Sequence, residues 1–368
     1  MAKTINNNIE KAQIKLSALN PYLQDNKVEN VEKEISGVDF IAWGTDNQYP
    51  GYLFSLYEDC ATLQSIINGT VDFVCGNDIS CNLPIFENTV NKNGDTINDI
   101  IQRISTDYLI FGGFALQVIR NAVGNITELY WIDFTKIRSD RKNEVFFYSE
   151  DWCKSYGRVK YIVYPKFNQD DSNPTSIFYY KGNKTRGTYP TPIYNAAITS
   201  CELEKKINQF HLSEINNNFL TSKIINFNSG IPDDDLKNEI ERNLNEKFSG
   251  AENAGRILIS FNANKDSETT VTDLPQDEFG ERYDSLAKRS TSQIFTAFRA
   301  TPNLFGLPTE TTGFNQQEFS EAFKLYNRTA VKPIQKVIVD TFDKIFGVDG
   351  SITIEPFNLE YDSEQEVE

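Results

Sequence analysis

Apolar residues recur at three- and four-residue intervals over long parts of this chain and cluster in short alternating runs elsewhere. Leu53, Leu56, Tyr57, Cys60, Leu63, Ile67, Val71 and Val74 share one helical face. Their spacing predicts an amphipathic helix over 51–73, closed by Gly76. Ile97, Ile100, Ile101, Ile104, Tyr108 and Leu109 predict a second helix over 96–111, broken by Gly112-Gly113. Short strands with tight turns follow: 114–120, a turn at Gly124-Asn125, then 126–133, 145–148, 159–164 and 177–181. Residues 1–35 are polar and read as an arm that is mobile or ordered by a partner. The first 190 residues therefore read as an α+β domain.

The pattern changes after Thr191-Pro192, which resembles an N-cap followed by proline at the first helical position. Ile193, Ala197, Ile207, Phe210 and Phe219 form a narrow apolar stripe on a very polar helix over 192–221. Such a helix would be about 45 Å long at ~1.5 Å per residue. Its stripe suggests burial between neighbouring copies, and Ile207 and Phe210 are the expected contacts. Residues 222–275 read as an inserted α/β unit, with strands at 224–227, 257–261 and 269–274. Asp233, Asp234 and Asp235 open its helix, where carboxylates favour the positive end of the helix dipole. Helical pattern resumes at 277–300, with Ile294 and Phe298 as further interface candidates. Thr301-Pro302 ends that helix, and a Pro-, Thr- and Gly-rich loop runs to Gly313. A third long helix spans 315–346, with Pro333 inside it, where a kink is expected. A strand at 352–354 and an acidic tail complete the sequence.

Charge alters this picture in two places. The 368 residues carry 52 acidic and 36 basic side chains, a net −16. A protein that wraps a duplex usually has a basic excess, so only locally gathered cations could hold a nucleic acid backbone. Seven acids and no Lys or Arg lie in 347–368, whereas 151–221 holds nine basic and six acidic residues. No apolar run approaches the ~18–20 residues that cross a bilayer. Met1 to Glu10 is polar and gives no secretory signal. The five cysteines lack a CxxC pair and read as reduced thiols. His211 is the only histidine, so a Ser-His-Asp or Cys-His engine would have to use it. It stands in a polar helix pattern away from any nucleophile turn. Neither GxxxxGK[ST] nor GxGxxG occurs. No catalytic residue, metal ligand set or cofactor is expected, which favours a binding or structural protein.

The order of these parts resembles the portal (head-to-tail connector) proteins of tailed bacteriophages. Four segments carry the likeness: Gly44-Thr-Asp-Asn-Gln-Tyr-Pro50 before a helix; Asp107-Tyr-Leu-Ile-Phe-Gly-Gly-Phe-Ala-Leu-Gln-Val-Ile-Arg120, with Gly124 and Leu129-Tyr-Trp-Ile-Asp133; Pro192-Ile-Tyr-Asn-Ala-Ala197; and Thr301-Pro302-Asn-Leu-Phe-Gly306 with Phe314-Asn-Gln-Gln-Glu-Phe319. The resemblance implies an N-terminal arm (1–40), a wing (41–190), a first stem helix (191–221), a clip (222–275) and a second stem helix (276–300). A tunnel loop (301–314), a kinked wing or crown helix (315–347) and a C-terminal strand and tail (348–368) follow. The short C-terminus departs from the family and leaves room for at most a minimal crown.

Family membership implies no enzymatic activity and a ring, usually dodecameric, at one capsid vertex of the virion, assembled in the host cytoplasm. Double-stranded DNA passes through it during packaging and ejection. The implied partners are the major capsid protein, the large terminase and, later, head-completion or tail adaptor proteins; no membrane is involved. Asp233, Asp234, Asp235 and Glu239 are then the expected docking surface of the clip. Asn303, Leu304, Phe305, Gly306 and Leu307 are expected to face the channel. Leu304 and Phe305 have an alternative reading as an ordinary core plug.

Two other classes compete. Residues 151–191 interleave Lys154, Arg158, Lys160, Lys166, Lys181, Lys184 and Arg186 with Trp152, Tyr156, Tyr161, Tyr164, Phe167, Phe178, Tyr179, Tyr180 and Tyr189. Cations and stacking faces together suit a single-stranded nucleic acid; cross-strand aromatic pairs in a hairpin are the simpler reading. A carboxylate-pair enzyme using Asp277 with Glu278, or Asp233 with Asp235, is disfavoured because adjacent helical residues do not face each other.

Overall fold

The computed structural model describes residues 30–153, 159–170, 173–182, 186–216, 223–227, 232–240, 257–261, 277–307 and 316–357. Two compact units divide them: Lys205–Leu286, and Lys27–Glu204 with Ala287–Glu368. The expected first 29 residues of the arm, the strand at 269–274, the loop beyond Leu307 to residue 315 and the tail from 358 lie outside the described residues.

The larger unit begins with an antiparallel pair, β1 (Glu32–Glu34) and β2 (Ile41–Trp43). Two helices follow, α1 (Tyr49–Asp59) and α2 (Ala61–Cys75), where the apolar spacing alone predicts one. Cys60 separates them with an extended backbone, φ −108° and ψ 105°. Gly76 closes α2 with φ 69°. Next come β3 (Asp78–Cys81) and α3 (Ile97–Phe111). A capping box between Thr96 and Asp99 starts α3, satisfying two backbone donors that would otherwise be orphaned. Gly112 ends it in the left-handed region, and a Cβ there would lie 2.3 Å from the Thr191 carbonyl oxygen. Only glycine fits that approach.

Strand β4 (Gly113–Arg120) is central, flanked antiparallel by β5 (Ile126–Ile132) and β9 (Thr175–Lys181). A second three-stranded sheet has the order β6 (Ile137–Ser139), β7 (Val145–Tyr148), β8 (Ile162–Pro165). After β9, a single helical turn at Asn195–Ala197 leads into α4 (Ile198–Asn216). Pro192 is therefore not the first helical residue. Tyr194 is buried, its hydroxyl donates to the Ile110 carbonyl (3.0 Å), and its ring stacks on Phe298 at 5.6 Å. That long-range anchoring overrides the local capping signal.

The smaller unit contains a parallel pair, β10 (Lys223–Phe227) and β11 (Ile257–Phe261). Parallel strands need a crossover connection, and the helix α5 (234–240) lies within it. Helix α6 (Asp277–Phe298) spans the division between the units. The larger unit then resumes with α7 (Gln316–Tyr326), a π-turn at Asn327–Val331 and α8 (Lys332–Phe346). Pro333 stands in the first turn of α8, and the expected disturbance takes the form of that π-turn. The proline ring crowds the carbonyl four residues earlier and offers no N–H. The chain answers by widening, with Lys332 N–H donating to Asn327 O, five residues back. Finally β12 (Ile352–Glu355) pairs antiparallel with β3.

One apolar core unites this unit. Leu63, Ile67 and Val74 of α2, Ile100 and Ile104 of α3, Leu116 and Val118 of β4, Ile294 and Phe298 of α6, and Ile338 and Phe342 of α8 all belong to it. At its edge the Gly44–Pro50 segment forms a polar knot. Arg138 is fully buried; its Nε and one Nη donate to Asn47 Oδ1 and O, each at 2.6 Å, and the other Nη donates to the Thr135 and Ile137 carbonyls. Its guanidinium lies over the Trp152 ring at 4.9 Å. Asn47 holds a left-handed backbone (φ 64°) and also accepts from the Trp43 N–H.

Asp107 on α3 is buried and accepts a 2.7 Å hydrogen bond from Trp131 Nε1 on β5. Burial raises its pKa well above the ordinary aspartate value. The folded state therefore holds a proton that the unfolded state has released, and this group's contribution to stability declines as pH rises through 3.8. Asp107→Asn keeps an acceptor for Trp131 and removes the titration. We expect the variant to melt higher than the parent at neutral pH, with the gap closing toward pH 3.8 and below in thermal denaturation.

Candidate functional site

The segment joining α6 to α7 is where a channel-facing surface is expected, and its construction begins at the end of α6. Ala300 N–H donates to Phe295 O (3.0 Å) and Arg299 N–H to Thr296 O (3.1 Å), the two bonds of a Schellman motif. Arg299 occupies the left-handed position, φ 56°, which glycine would fill at ~1 kcal/mol less cost. Pro302–Phe305 then forms a single 3₁₀ turn, closed by Gly306 at φ 81°. Gly306 and Leu307 N–H groups both reach the Pro302 carbonyl.

That turn drives Phe305 inward. Its ring meets Phe73 at 6.1 Å, Phe295 at 6.0 Å and Tyr326 edge-on at 5.7 Å. Gly69 of α2 makes the space, since a Cβ there would lie 2.9 Å from two ring carbons of Phe305. Tyr326 seals the seat: its hydroxyl lies 2.7 Å from Thr70 Oγ1, which donates to Ile66 O. Burial pushes the Tyr326 phenol up to about 12. Leu304 is buried as well. The expectation that Leu304 and Phe305 face a channel is thus corrected: both plug the chain's own core. Asn303 is half-buried, and Gly306 and Leu307 are exposed.

The expected ring contacts also turn inward. Ile294 is 0 % and Phe298 4 % exposed, inside the core of the larger unit. Ile207 is buried at 6 %, and Phe210 stacks on Tyr283 at 4.7 Å within the smaller unit. A narrow stripe suffices because it meets other stripes of the same chain. His211 stands edge-on to Tyr283 at 5.7 Å, a packing role. Asp233, Asp234, Asp235 and Glu239 are all exposed. Asp233 Oδ1 accepts from Leu236 N–H at 2.9 Å, capping α5, and Asp234 pairs with Lys237 at 3.2 Å.

The basic-aromatic segment contributes its rings to the interior. Trp152, Phe167, Phe178 and Tyr189 are buried, and Tyr189 lies flat on Trp43 at 4.4 Å. Those faces are unavailable to nucleobases. Lys154, Tyr156, Arg158 and Lys184 lie outside the described residues. An open hollow of about 430 Å³ is lined by Tyr148, Ser149, Glu150, Asp151, Lys160, Tyr161 and Ile162. Its Glu150 is engaged by Lys136 and Tyr148, at 2.5 Å each, and the bond from Lys136 is the main cause of its lowered pKa. Among the described residues, no group of three or more His, Cys, Asp or Glu side chains is placed to hold a metal ion. No helix among them is long and apolar enough to cross a membrane.

Sequence reasoning passed over Gly69, whose signal is a glycine inside a strong helical pattern, and the cations of α6. Arg289, Ser292 and Thr296 are exposed on the face of α6 opposite Ile294 and Phe298, and Arg299 is exposed just beyond the helix end.

Comparison with known proteins now bears on the class. The profile of the family described as Phage portal protein matches residues 87–364. This chain belongs to the phage portal protein family. Among solved structures, the neck of an empty gene transfer agent (GTA) particle computed with C6 symmetry aligns with a TM-score of 0.50 and 16% identity, covering 85% of each chain. A native GTA virion gives 0.49 and 18% identity over 85% of this chain and 84% of the other. A HK97-family phage portal protein from Corynebacterium diphtheriae gives 0.47 and 11% identity over 79% and 88%. No curated protein sequence matches.

The core-plug geometry separates two neighbours in one turn. Phe305→Ala should cost about 3 kcal/mol by emptying a filled seat, whereas Leu307→Ser should stay within ~0.5 kcal/mol. Chemical denaturation of both variants checks this; equal losses would refute the assignment of Phe305 as the plug.

Proposed function

We propose that copies of this chain close into a dodecameric ring at one vertex of a phage capsid and form the conduit for double-stranded DNA during packaging and ejection. Membership of the portal family across residues 87–364 carries this reading. The acidic balance of the whole chain is consistent with a conduit, because a wall that is mostly not basic lets a polyanion slide. Asn303, Gly306 and Leu307, the part of the α6–α7 turn not committed to the core, border the channel. The apolar faces of α4 and α6 are used within the chain, so neighbouring copies meet through other surfaces. The ring assembles in the host cytoplasm, contacts the major capsid protein, and persists in the virion.

Residues 222–275, carrying six basic and ten acidic side chains, form the docking end for the large terminase and later for head-completion or tail adaptor proteins. Asp233, Asp234, Asp235 and Glu239 steer a basic partner surface to it.

Native mass spectrometry and negative-stain imaging of the purified chain should show closed rings. A species that stays monomeric at high concentration and under capsid-assembly conditions would overturn the proposal. Replacing Asp233, Asp234, Asp235 and Glu239 together with Lys should leave the rings intact and weaken terminase capture at low salt more than at high salt. Unchanged capture would remove the docking role from this surface.

A further inference from the structure

The C-terminal half of α6 and the turn after it form a locally basic stretch in an acidic chain. From Ser285 to Thr309 the sequence contains Lys288, Arg289 and Arg299 and no Asp or Glu, a local +3 in a chain of net −16. Arg289, Ser292 and Thr296 follow each other at three- and four-residue steps and so share one helical face, and Arg299 follows in the left-handed position immediately beyond the helix end. All four are exposed. The opposite face carries Ser290, Ile294 and Phe298, all buried, so the helix cannot rotate to hide the arginines. Neither Arg289 nor Arg299 has a carboxylate partner among the described residues. The stripe leads directly into Thr301, Gly306 and Leu307, the exposed part of the turn.

Guanidinium groups held on a helix and on the capped turn at its end are suited to phosphate oxygens, which they engage through paired donors. The hydroxyls of Ser292 and Thr296 lie between the two arginines on this face. Thr296 spends its own proton on the Ser292 carbonyl (2.7 Å), so the arginines are the phosphate donors here. From Arg289 to the helix end at Phe298 the rise is about 13 Å at ~1.5 Å per residue, several phosphates' worth of duplex axis at ~3.4 Å per strand repeat.

We infer that this stripe of α6 is the phosphate-contacting track of the conduit: a narrow basic band, one pair of arginines per copy, in a wall that is otherwise acidic or neutral. The inference rests on the portal reading above and names the surface that would touch DNA. A band only two cations deep grips few phosphates per copy, so it would register the duplex without arresting it.

The test uses assembled rings of the full chain, with short linear duplex DNA and covalently closed circular duplex as probes, titrated over a range of salt. Parent rings should bind the linear duplex, which can thread, and bind the closed circle far more weakly. The double variant Arg289→Gln/Arg299→Gln should bind the linear duplex roughly tenfold more weakly, with a shallower dependence of log affinity on log salt. Arg289→Lys/Arg299→Lys should recover most of the affinity. Lys324→Gln/Lys336→Gln removes the same charge elsewhere and should change little. If rings form and bind DNA but the Gln variant matches the parent, or loses no more than the Lys324/Lys336 control, the track is refuted and the portal reading stands. Equal binding of the closed circle would place the arginines on an outer surface and refute the track as well. Failure of the chain to close into rings would overturn the portal reading itself, and the inference with it.

Discussion

A guanidinium withdrawn from water must find protein acceptors for its donors, and the placement of Arg138 shows how much of the larger unit is arranged to supply them. Two of its acceptors belong to Asn47, which can present both its side-chain and main-chain oxygens only in a left-handed conformation. That conformation in turn lets Asn47 accept from Trp43, whose ring is pinned flat against Tyr189. Tyr189 donates to the Ile41 carbonyl, while Glu32 accepts from its N–H and from that of Thr188. Remove the cation and the acceptors of Asn47 are left buried without their charged donor, a cost of ~1–3 kcal/mol per group. The entry strands, the second sheet and the segment leading to α4 are thereby fastened at one point.

The two long helices show a related economy. Both carry narrow apolar stripes, and both spend them inside the chain. Tyr194 and Phe298 meet in the larger unit, while Phe210 and Tyr283 meet in the smaller. Beyond Leu286, what α6 leaves outside is Lys288, Arg289, Ser292, Gln293 and Thr296. The apolar groups that hold the fold together are not the groups that face water, so a change on the wetted face need not disturb the packing behind it.

Local chemistry in the sequence was enough to place much of the larger unit's first half. Thr96 with Asp99, the left-handed glycines at 112 and 124, and the alternation in β4 and β5 each act within a few residues, and the corresponding elements lie where those signals put them. The misplacements all involve distant partners. The break at Cys60 leaves the apolar face in nearly the same phase on both sides, so periodicity could not register it. Thr191-Pro192 has the chemistry of a helix start, yet burial of Tyr194 delays the helix to Ile198. The 301–307 turn has the composition of an exposed loop; its inward Phe305 depends on the absence of a side chain at Gly69, far away in the sequence. An apolar stripe says that a helix face is covered but not by what, and for Ile294 and Phe298 the covering surface proved to be the chain itself.

The pairing of β12 with β3 has a consequence for how the protein is made. Asn77 N–H donates to Glu355 O, and Gly76 lies so close to that carbonyl that a Cβ would sit 2.0 Å from it. Phe73 on the adjoining helix is covered by Phe323 and Phe357. A ribosome adding ~5–20 residues per second delivers β12 roughly 15–55 s after β3. During that interval the main sheet, the unit at 205–286 and then α6, α7 and α8 emerge in turn, and the edge of the larger unit stays open until the last strand arrives. The smaller unit can therefore mature first, and the larger one closes only around a nearly finished chain. Incomplete chains would carry an open apolar core, which makes completed synthesis a natural checkpoint for the larger unit.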